Sequence, residues 1–364
     1  MVTFPTKVAQ ILDRVQQINP VQYAMSRNYE RGAVTYLSPY ISRGVISTRQ
    51  VYEHIVTLGL SWSKSEKFIQ ELAWRDYWQQ VWIAKGSLIR SDLKSKQTPV
   101  SNHQVPLAIV EANTGIEAVD SAILQLYETG YMHNHMRMYV ASICCNIAHS
   151  HWLAPAQWMY SHLLDGDLAS NFLSWQWVAG TFSNKKYYAN QQNINTFFGG
   201  AQRHTFLDVA YKALQGCETP KILTRTVAFS CATPLPTVDF PSLEKNKTTL
   251  VYNYYNLDPY WYVNQDVQRV LLMEPSFFDE NPVSQRCIDL VIALAKNIDG
   301  VKIFVGEFSE LAQHVRVDQV VFKEHPTNSH YRGKEEPRDW LSSVRGYFPS
   351  FFAYWKQCKQ ALLG

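Results

Sequence analysis

Residues 131–188 gather side chains that are costly to bury and useful to keep. Asn134 and Arg137 stand about one helical turn apart, followed by the acidic pair Asp165 and Asp167 and then by Asn171. Four tryptophans, Trp152, Trp158, Trp175 and Trp177, are interleaved with them. Charge set among dense aromatics costs free energy unless it is paired or serves a ligand. A flat ligand with polar edges would use such a set well, because rings supply stacking surface while carboxylates and an amide read an edge. A second constellation lies upstream in FIQELAWRDYW, residues 68–78. Glu71, Trp74, Arg75 and Trp78 are spaced i, i+3, i+4 and i+7, so they share one face of a helix. An Arg and a Glu among tryptophans suggest a lined cavity; a packed aromatic helix with one internal ion pair is the plainer alternative.

These residues need a helical frame, and the pattern around them supplies one. Segments 107–118, 122–127, 136–148 and 156–164 carry helix-like apolar spacing between short Gly, Pro and Asn turns. Residues 1–215 therefore read as an all-helical domain. Residues 216–247, with Pro220, Pro234, Pro236 and Pro241, read as a linker. Short β-branched runs follow at 248–254, 267–273, 301–305 and 318–322, with a helix-like stretch at 283–296. Strand, helix and strand in that order argue for a small parallel sheet. Residues 340–363 read as an aromatic-rich closing helix. The expected fold is mainly α: a helical domain over 1–215, then a small α/β, Rossmann-like domain over 248–364. Neither common glycine-rich phosphate loop is present.

The bulk numbers narrow the class. A chain of 364 residues is long enough for two domains, and 46% apolar with 18% charged residues describes a folded protein. A net charge of +3 permits a nucleic-acid partner without requiring one. The six cysteines lack paired spacing, and no Cys/His cluster stands at metal-site spacing, so no metal is expected. With no signal-like N-terminus and no membrane-length apolar run, a soluble, cytoplasmic protein is expected.

The same residues resemble the FAD-binding helical domain of the cryptochrome/photolyase family, and the likeness reaches upstream to about Val21. In NYERGAVTYLSPYISRGVIS, residues 28–47, it resembles the segment wrapping the FAD diphosphate; Tyr29, Thr35, Leu37 and Ser38 are carried over. Phe68 and Arg75 match flavin-contacting positions, and Asn134 is counted with them. The likeness implies that Arg137 and Asp165 form a salt bridge over the isoalloxazine ring. It also implies that Asp167 accepts from flavin N3–H and that Asn171 faces N5. Glu71, Trp74, Asn134, Met138 and Trp177 match the pocket for a flipped-out lesion, with Trp74 and Trp177 as its stacking walls. Relatives that repair (6-4) lesions carry histidines where Asn134 and Met138 stand; His133 and His135 are at the wrong offset. The resemblance thus implies light-driven electron transfer from reduced FAD to a cyclobutane pyrimidine dimer in UV-damaged DNA. Trp175 and Trp152 match the proximal and middle tryptophans of a photoreduction wire. Its outer position is empty, since no Trp lies between Trp82 and Asn134, and Trp158 or a tyrosine is the candidate substitute. Lys185 and Lys186 are the preferred phosphate ligands, with Arg43, Arg49 and Arg203 behind them.

The chain also departs from the family pattern. The flavin-domain likeness starts close to residue 1, where relatives place an α/β antenna domain first. The α/β half at 248–364 resembles a reduced, relocated version of that domain, and whether it holds an antenna chromophore stays open. After Tyr188 the chain reads ANQQNINTFFGG instead of the segment usual in repair enzymes. The rival reading is a blue-light photoreceptor that signals through a protein partner.

Overall fold

The β-branched runs form strands in the computed structural model, which describes residues 3–183 and 185–364. They are β1 (Thr249–Tyr252), β2 (Gln268–Met273), β3 (Val301–Val305) and β4 (Val320–Lys323), joined by β5 (Lys334–Glu336). All neighbours pair in parallel, in the order β3-β2-β1-β4-β5. β1 and β2 are buried along their whole length, as parallel strands covered on both faces are. Val251, Val270 and Leu272 pack in one core with Phe304, Phe308, Leu311 and Val320. The Gln285–Ala295 helix lies between β2 and β3 in sequence. β5 lies outside the expected strands because Lys334-Glu335-Glu336 carries no β-branched signal; charge of that kind keeps a sheet edge from pairing further. About half of the chain is helical.

The chain comprises two compact units. One holds Val21–Val34 and Lys85–Ser230; the other holds Phe4–Pro20, Thr35–Ala84 and Cys231–Gly364. These units cut across the expected boundaries at 215 and 248, and residues 35–84 group with the sheet. The expected linker at 216–247 is mostly irregular and exposed or half-buried, with Leu223 its one buried residue, and it makes a few contacts within each unit. Within the first unit Thr226–Val227 pairs antiparallel with Val105–Pro106. Within the second, Val283 N donates to Thr233 Oγ1 at 2.9 Å, and Phe240 sets its ring 4.9 Å from Phe304. The prolines that suggest a linker instead accompany an extended strap.

In the first unit the helices are shorter or longer than their apolar spacing predicts. The expected helix at 107–118 stops at Val110, and a new one runs Glu117–Thr129. The reason is Asp120, whose carboxylate accepts from Thr114 N, Thr114 Oγ1 and Gly115 N and so closes a turn between them. The stretch expected at 136–148 divides into the Asn134–Ser142 helix and a π turn, Ile143–Ile147. The Leu153–His162 and Leu168–Ala179 helices complete the frame of the candidate site.

In the second unit FIQELAWRDYW lies inside the Trp62–Lys85 helix, whose buried stripe runs through Ser65, Phe68, Ile69, Leu72, Ala73 and Asp76. Asp76 is the charged member of that stripe. Thr48 Oγ1 donates to it at 3.0 Å and Leu341 N at 2.7 Å. Burial outweighs these bonds and the nearby Arg338 and Arg345 charges, and raises its carboxyl to about 6. The closing helix is shorter than expected: it runs Phe351–Leu363, capped by Ser350 after Pro349. Residues 340–349 instead form an irregular segment held by Asp76 at Leu341 and by Arg49 Nε at the Trp340 carbonyl, 2.9 Å. Among the described residues no helix is long and apolar enough to cross a membrane.

Candidate functional site

Asp165 and Asp167 flank a glycine that the packing demands. A Cβ at Gly166 would lie 3.0 Å from the Leu163 carbonyl oxygen and 3.1 Å from that of Tyr160. Gly166 N donates to Leu163 O at 2.9 Å, which folds the turn tightly onto the end of the Leu153–His162 helix. Asp167 then caps the Leu168–Ala179 helix, its Oδ1 accepting from Ser170 N at 2.7 Å. A carboxylate there completes unsatisfied backbone donors and sits at the positive end of the helix dipole.

Asp165 meets a cation. Arg137 Nη2 donates to both of its carboxylate oxygens, each at 3.0 Å, and Arg137 Nε donates to the Met132 carbonyl at 2.8 Å. The two side chains are only 20% and 6% exposed, so the pair is largely withdrawn from water and balanced internally. Asn171 lies one turn into the helix capped by Asp167. Its Nδ2 donates to the Ala156 carbonyl at 2.8 Å, which leaves the amide oxygen as an acceptor pole at the other end of the group. Sequence-distant helices thus place a guanidinium–carboxylate pair, a capping carboxylate and an uncharged amide in one unit. Among the described residues no His/Cys/Asp/Glu group could hold a metal ion.

Asn134 opens its helix and is exposed, while Met138, one turn on, is half-buried. His133 and His135 are packing residues. His133 lies edge-on to Phe198 at 5.5 Å, and His135 lies 4.7 Å from Phe197. Burial lowers His133 to about 4 and His135 below the ordinary histidine value, so both are neutral near pH 7. Trp175 is buried, whereas Trp177 is 37% exposed beside the Tyr187 ring at 5.9 Å. Trp158 is buried, with its indole N–H on the Tyr127 hydroxyl at 3.1 Å, and this removes it as the outer, solvent-facing member of a wire.

Most basic candidates are occupied. Lys185 is exposed. The Lys186 ammonium donates to the Thr98 carbonyl, and burial lowers its pKa, so part of its donor capacity is already engaged. Arg43 is fully buried, its guanidinium 3.8 Å from the centre of the Tyr254 ring, and is a structural cation of the second unit. Arg49 lies 3.5 Å from Asp339, and Arg203 lies 3.8 Å from Asp208.

Within the second unit, Arg75 Nη2 donates to Ser42 Oγ and reaches the Ser38 carbonyl at 3.5 Å, joining two of the expected flavin residues. Ser38 opens a five-residue helix, Ser38–Ser42; Leu37 and Phe68 are buried, and Thr35 is half-buried. Tyr29 belongs to the first unit, where it is 45% exposed and 5.0 Å from the Phe197 ring. Glu71 pairs with Lys67 at 3.0 Å. One face of the expected stacking wall Trp74 is covered: Phe351 stacks on it with centroids 3.7 Å apart and planes within 8°. Sequence reasoning missed Phe351, which stands 277 positions further on and carries no local signal (351 − 74). It also missed Asp92, whose Oδ1 accepts the Trp152 indole N–H at 2.7 Å.

Residues 68–201 match the model of the FAD binding domain of DNA photolyase. A deoxyribodipyrimidine photo-lyase of Vibrio cholerae is 32% identical over 190 residues, covering 49% of this chain and 39% of that protein. Another, from a Synechococcus species, is 35% identical over 175 residues, covering 45% and 36%. A solved cryptochrome of Synechocystis sp. PCC6803 is 27% identical with a TM-score of 0.51, covering 54% of this chain and 44% of that one. The matches thus span under half the length of these relatives.

Proposed function

We propose that this chain, whose residues 68–201 match the FAD binding domain of DNA photolyase, acts as a member of the cryptochrome/photolyase family: it binds FAD and uses blue light to split cyclobutane pyrimidine dimers in DNA. The observation that carries this reading is the largely buried Arg137–Asp165 pair beside the Asp167 cap and the Asn171 amide. Such a donor and acceptor set fits an isoalloxazine edge. An ionised carboxylate is acceptor-only and suits a ring N–H, and an uncharged amide tolerates either protonation state of the adjoining ring nitrogen. Reduced FAD, when bound, supplies the electron that opens the dimer. The chain's own residues do the rest. Arg137 and Asp165 hold a neutral, oriented lid for the ring, and Asp167 and Asn171 fix its edge. In the first unit Asn134 is the edge-reading group for a base taken out of the duplex stack, a step that damage makes easier, and in the second unit Glu71 is assigned the same kind of role. Exposed Trp177 offers a stacking wall, with Met138 on the rim. Lys185 is the better placed of the two lysines for a phosphate.

A second reading, a blue-light receptor without repair, is favoured by one observation. Phe351 covers a face of Trp74, and a lesion wall with a covered face has less stacking surface to offer. The two readings separate in one assay. Protein whose flavin has been chemically reduced beforehand is expected to restore intact thymines in a dimer-bearing oligonucleotide only under blue light. Absence of repair with reduced FAD bound would turn the reading to the receptor. Glu71→Ala is expected to lower repair by about one to two orders of magnitude, as for loss of a charged hydrogen bond worth ~1.5–3 kcal/mol, with FAD retained. Loss of FAD in that variant would contradict its placement against the lesion.

A further inference from the structure

We propose that Asp92 is an internal proton acceptor for Trp152, so that the photoreduction wire ends in a proton transfer inside the protein instead of at a third tryptophan. The inference rests on the flavin reading above. Trp152 is fully buried, and its indole N–H lies on Asp92 Oδ1 at 2.7 Å. The same carboxylate accepts from Gln97 N through Oδ2 at 2.8 Å and lies 3.3 Å from His151 Nε2. Gln97 also holds the Trp152 backbone, its Oε1 accepting from Trp152 N at 2.9 Å, so donor and acceptor are fixed by one clamp.

The chemistry follows from burial. One-electron loss converts an indole into a radical cation, which is a strong N–H acid. Trp152 itself is fully buried, so the aligned Asp92 carboxylate, whose side chain is 18% exposed, is the base in direct contact with the indole. The step balances as follows. An electron passes from Trp152, by way of Trp175, to oxidised flavin as the acceptor. The Trp152 N–H bond breaks, and its proton forms an O–H bond on Asp92. The products on the chain are a neutral indolyl radical and a carboxylic acid. Return of the electron then requires return of the proton, which slows recombination and does the work that a solvent-exposed outer tryptophan would otherwise do.

The groups facing Asp92 permit this. Burial holds His151 below the ordinary histidine value against the pull of Asp92, and His103 stacks on the His151 ring at 4.8 Å. Cys145 is a further titratable group that feels the Asp92 charge, and Lys186 interacts with Cys145 in turn. His151 Nε2 lies 3.3 Å from the same Oδ1 that takes the indole N–H, and the indole makes the shorter contact at 2.7 Å.

The test is transient absorption together with light-induced infrared difference spectroscopy on the FAD-loaded, oxidised protein, in H2O and in D2O. The native protein is expected to give the neutral tryptophan radical, with an isotope-sensitive rate, and a new carboxylic-acid C=O band. In Asp92→Asn, which keeps an acceptor oxygen for Trp152, the carboxylic-acid band is expected to vanish and the radical to stay cationic. A tryptophan radical that remains cationic in the native protein until it recombines overturns the proposal, and that measurement needs no variant to fold. A neutral radical formed equally fast in Asp92→Asn overturns it as well. No tryptophan radical in any form, with FAD bound, overturns the electron wire itself and the proton step with it.

Discussion

Replacing Asp165 by alanine is expected to lower the stability of the protein by about 3–5 kcal/mol, the usual cost of leaving one partner of a buried ion pair without the other. The magnitude follows from geometry. Arg137 makes both bonds to Asp165 at 3.0 Å from the same Nη2, in a site where the carboxylate side chain is 6% exposed. Its remaining bond to the Met132 carbonyl positions the guanidinium without neutralising it. The truncation therefore strands a cation against Tyr131 and the helix ends around it. Urea unfolding of the two proteins at neutral pH measures the difference. A loss below about 1 kcal/mol would mean that the pair behaves like an exposed one and that water reaches it freely. Asp165→Asn is expected to lose less, because an amide oxygen still accepts from the guanidinium.

Replacing Asp76 by asparagine should have an effect that depends on pH in a defined direction. Burial raises this carboxyl from 3.8 to about 6. Its protonated form is thus favoured by folding. That contribution is fully present below about 3.8, where the unfolded chain is also protonated, and is lost as pH rises through about 6. At 1.36 kcal/mol per pH unit the loss amounts to roughly 3 kcal/mol by pH 7. Asparagine has no charge to bury, yet its oxygen can still accept from Thr48 Oγ1 or Leu341 N. The stability of Asp76→Asn relative to the native protein is therefore expected to climb by roughly 2.5 kcal/mol between pH 4 and pH 7. Urea midpoints at a series of pH values give the curve. A difference that is flat across this range would show that Arg338 and Arg345 compensate the buried charge fully.

Much of the local architecture was legible beforehand because it depends on spacing alone. The Trp62–Lys85 helix appears where Phe68, Leu72 and Ala73 repeat at helical intervals, and four strands appear within one to two residues of their β-branched runs. The misses have a common cause. The helix expected across 107–118 was broken by the Asp120 side chain reaching back to Thr114 and Gly115, a competition that apolar spacing does not register. β5 was invisible because backbone pairing with β4, not side-chain type, makes it a strand.

The sequence by itself determined which residue types are present and which can share a face. It set Asn134, Arg137 and Met138 on one helix, and Phe68, Glu71, Trp74 and Arg75 on another. Those relations are fixed by 3.6 residues per turn and need no knowledge of what packs outside the element. Only the tertiary structure decided which groups are engaged. It gave Asp165 to Arg137, Trp152 to Asp92, Lys186 to Thr98, Trp74 to Phe351 and Arg43 to Tyr254. Most of these partners lie far apart in the chain, so the choice is made by how helices and strands pack against one another. A lysine or a tryptophan has many possible partners in the unfolded chain, and burial narrows them to the few that packing brings within reach.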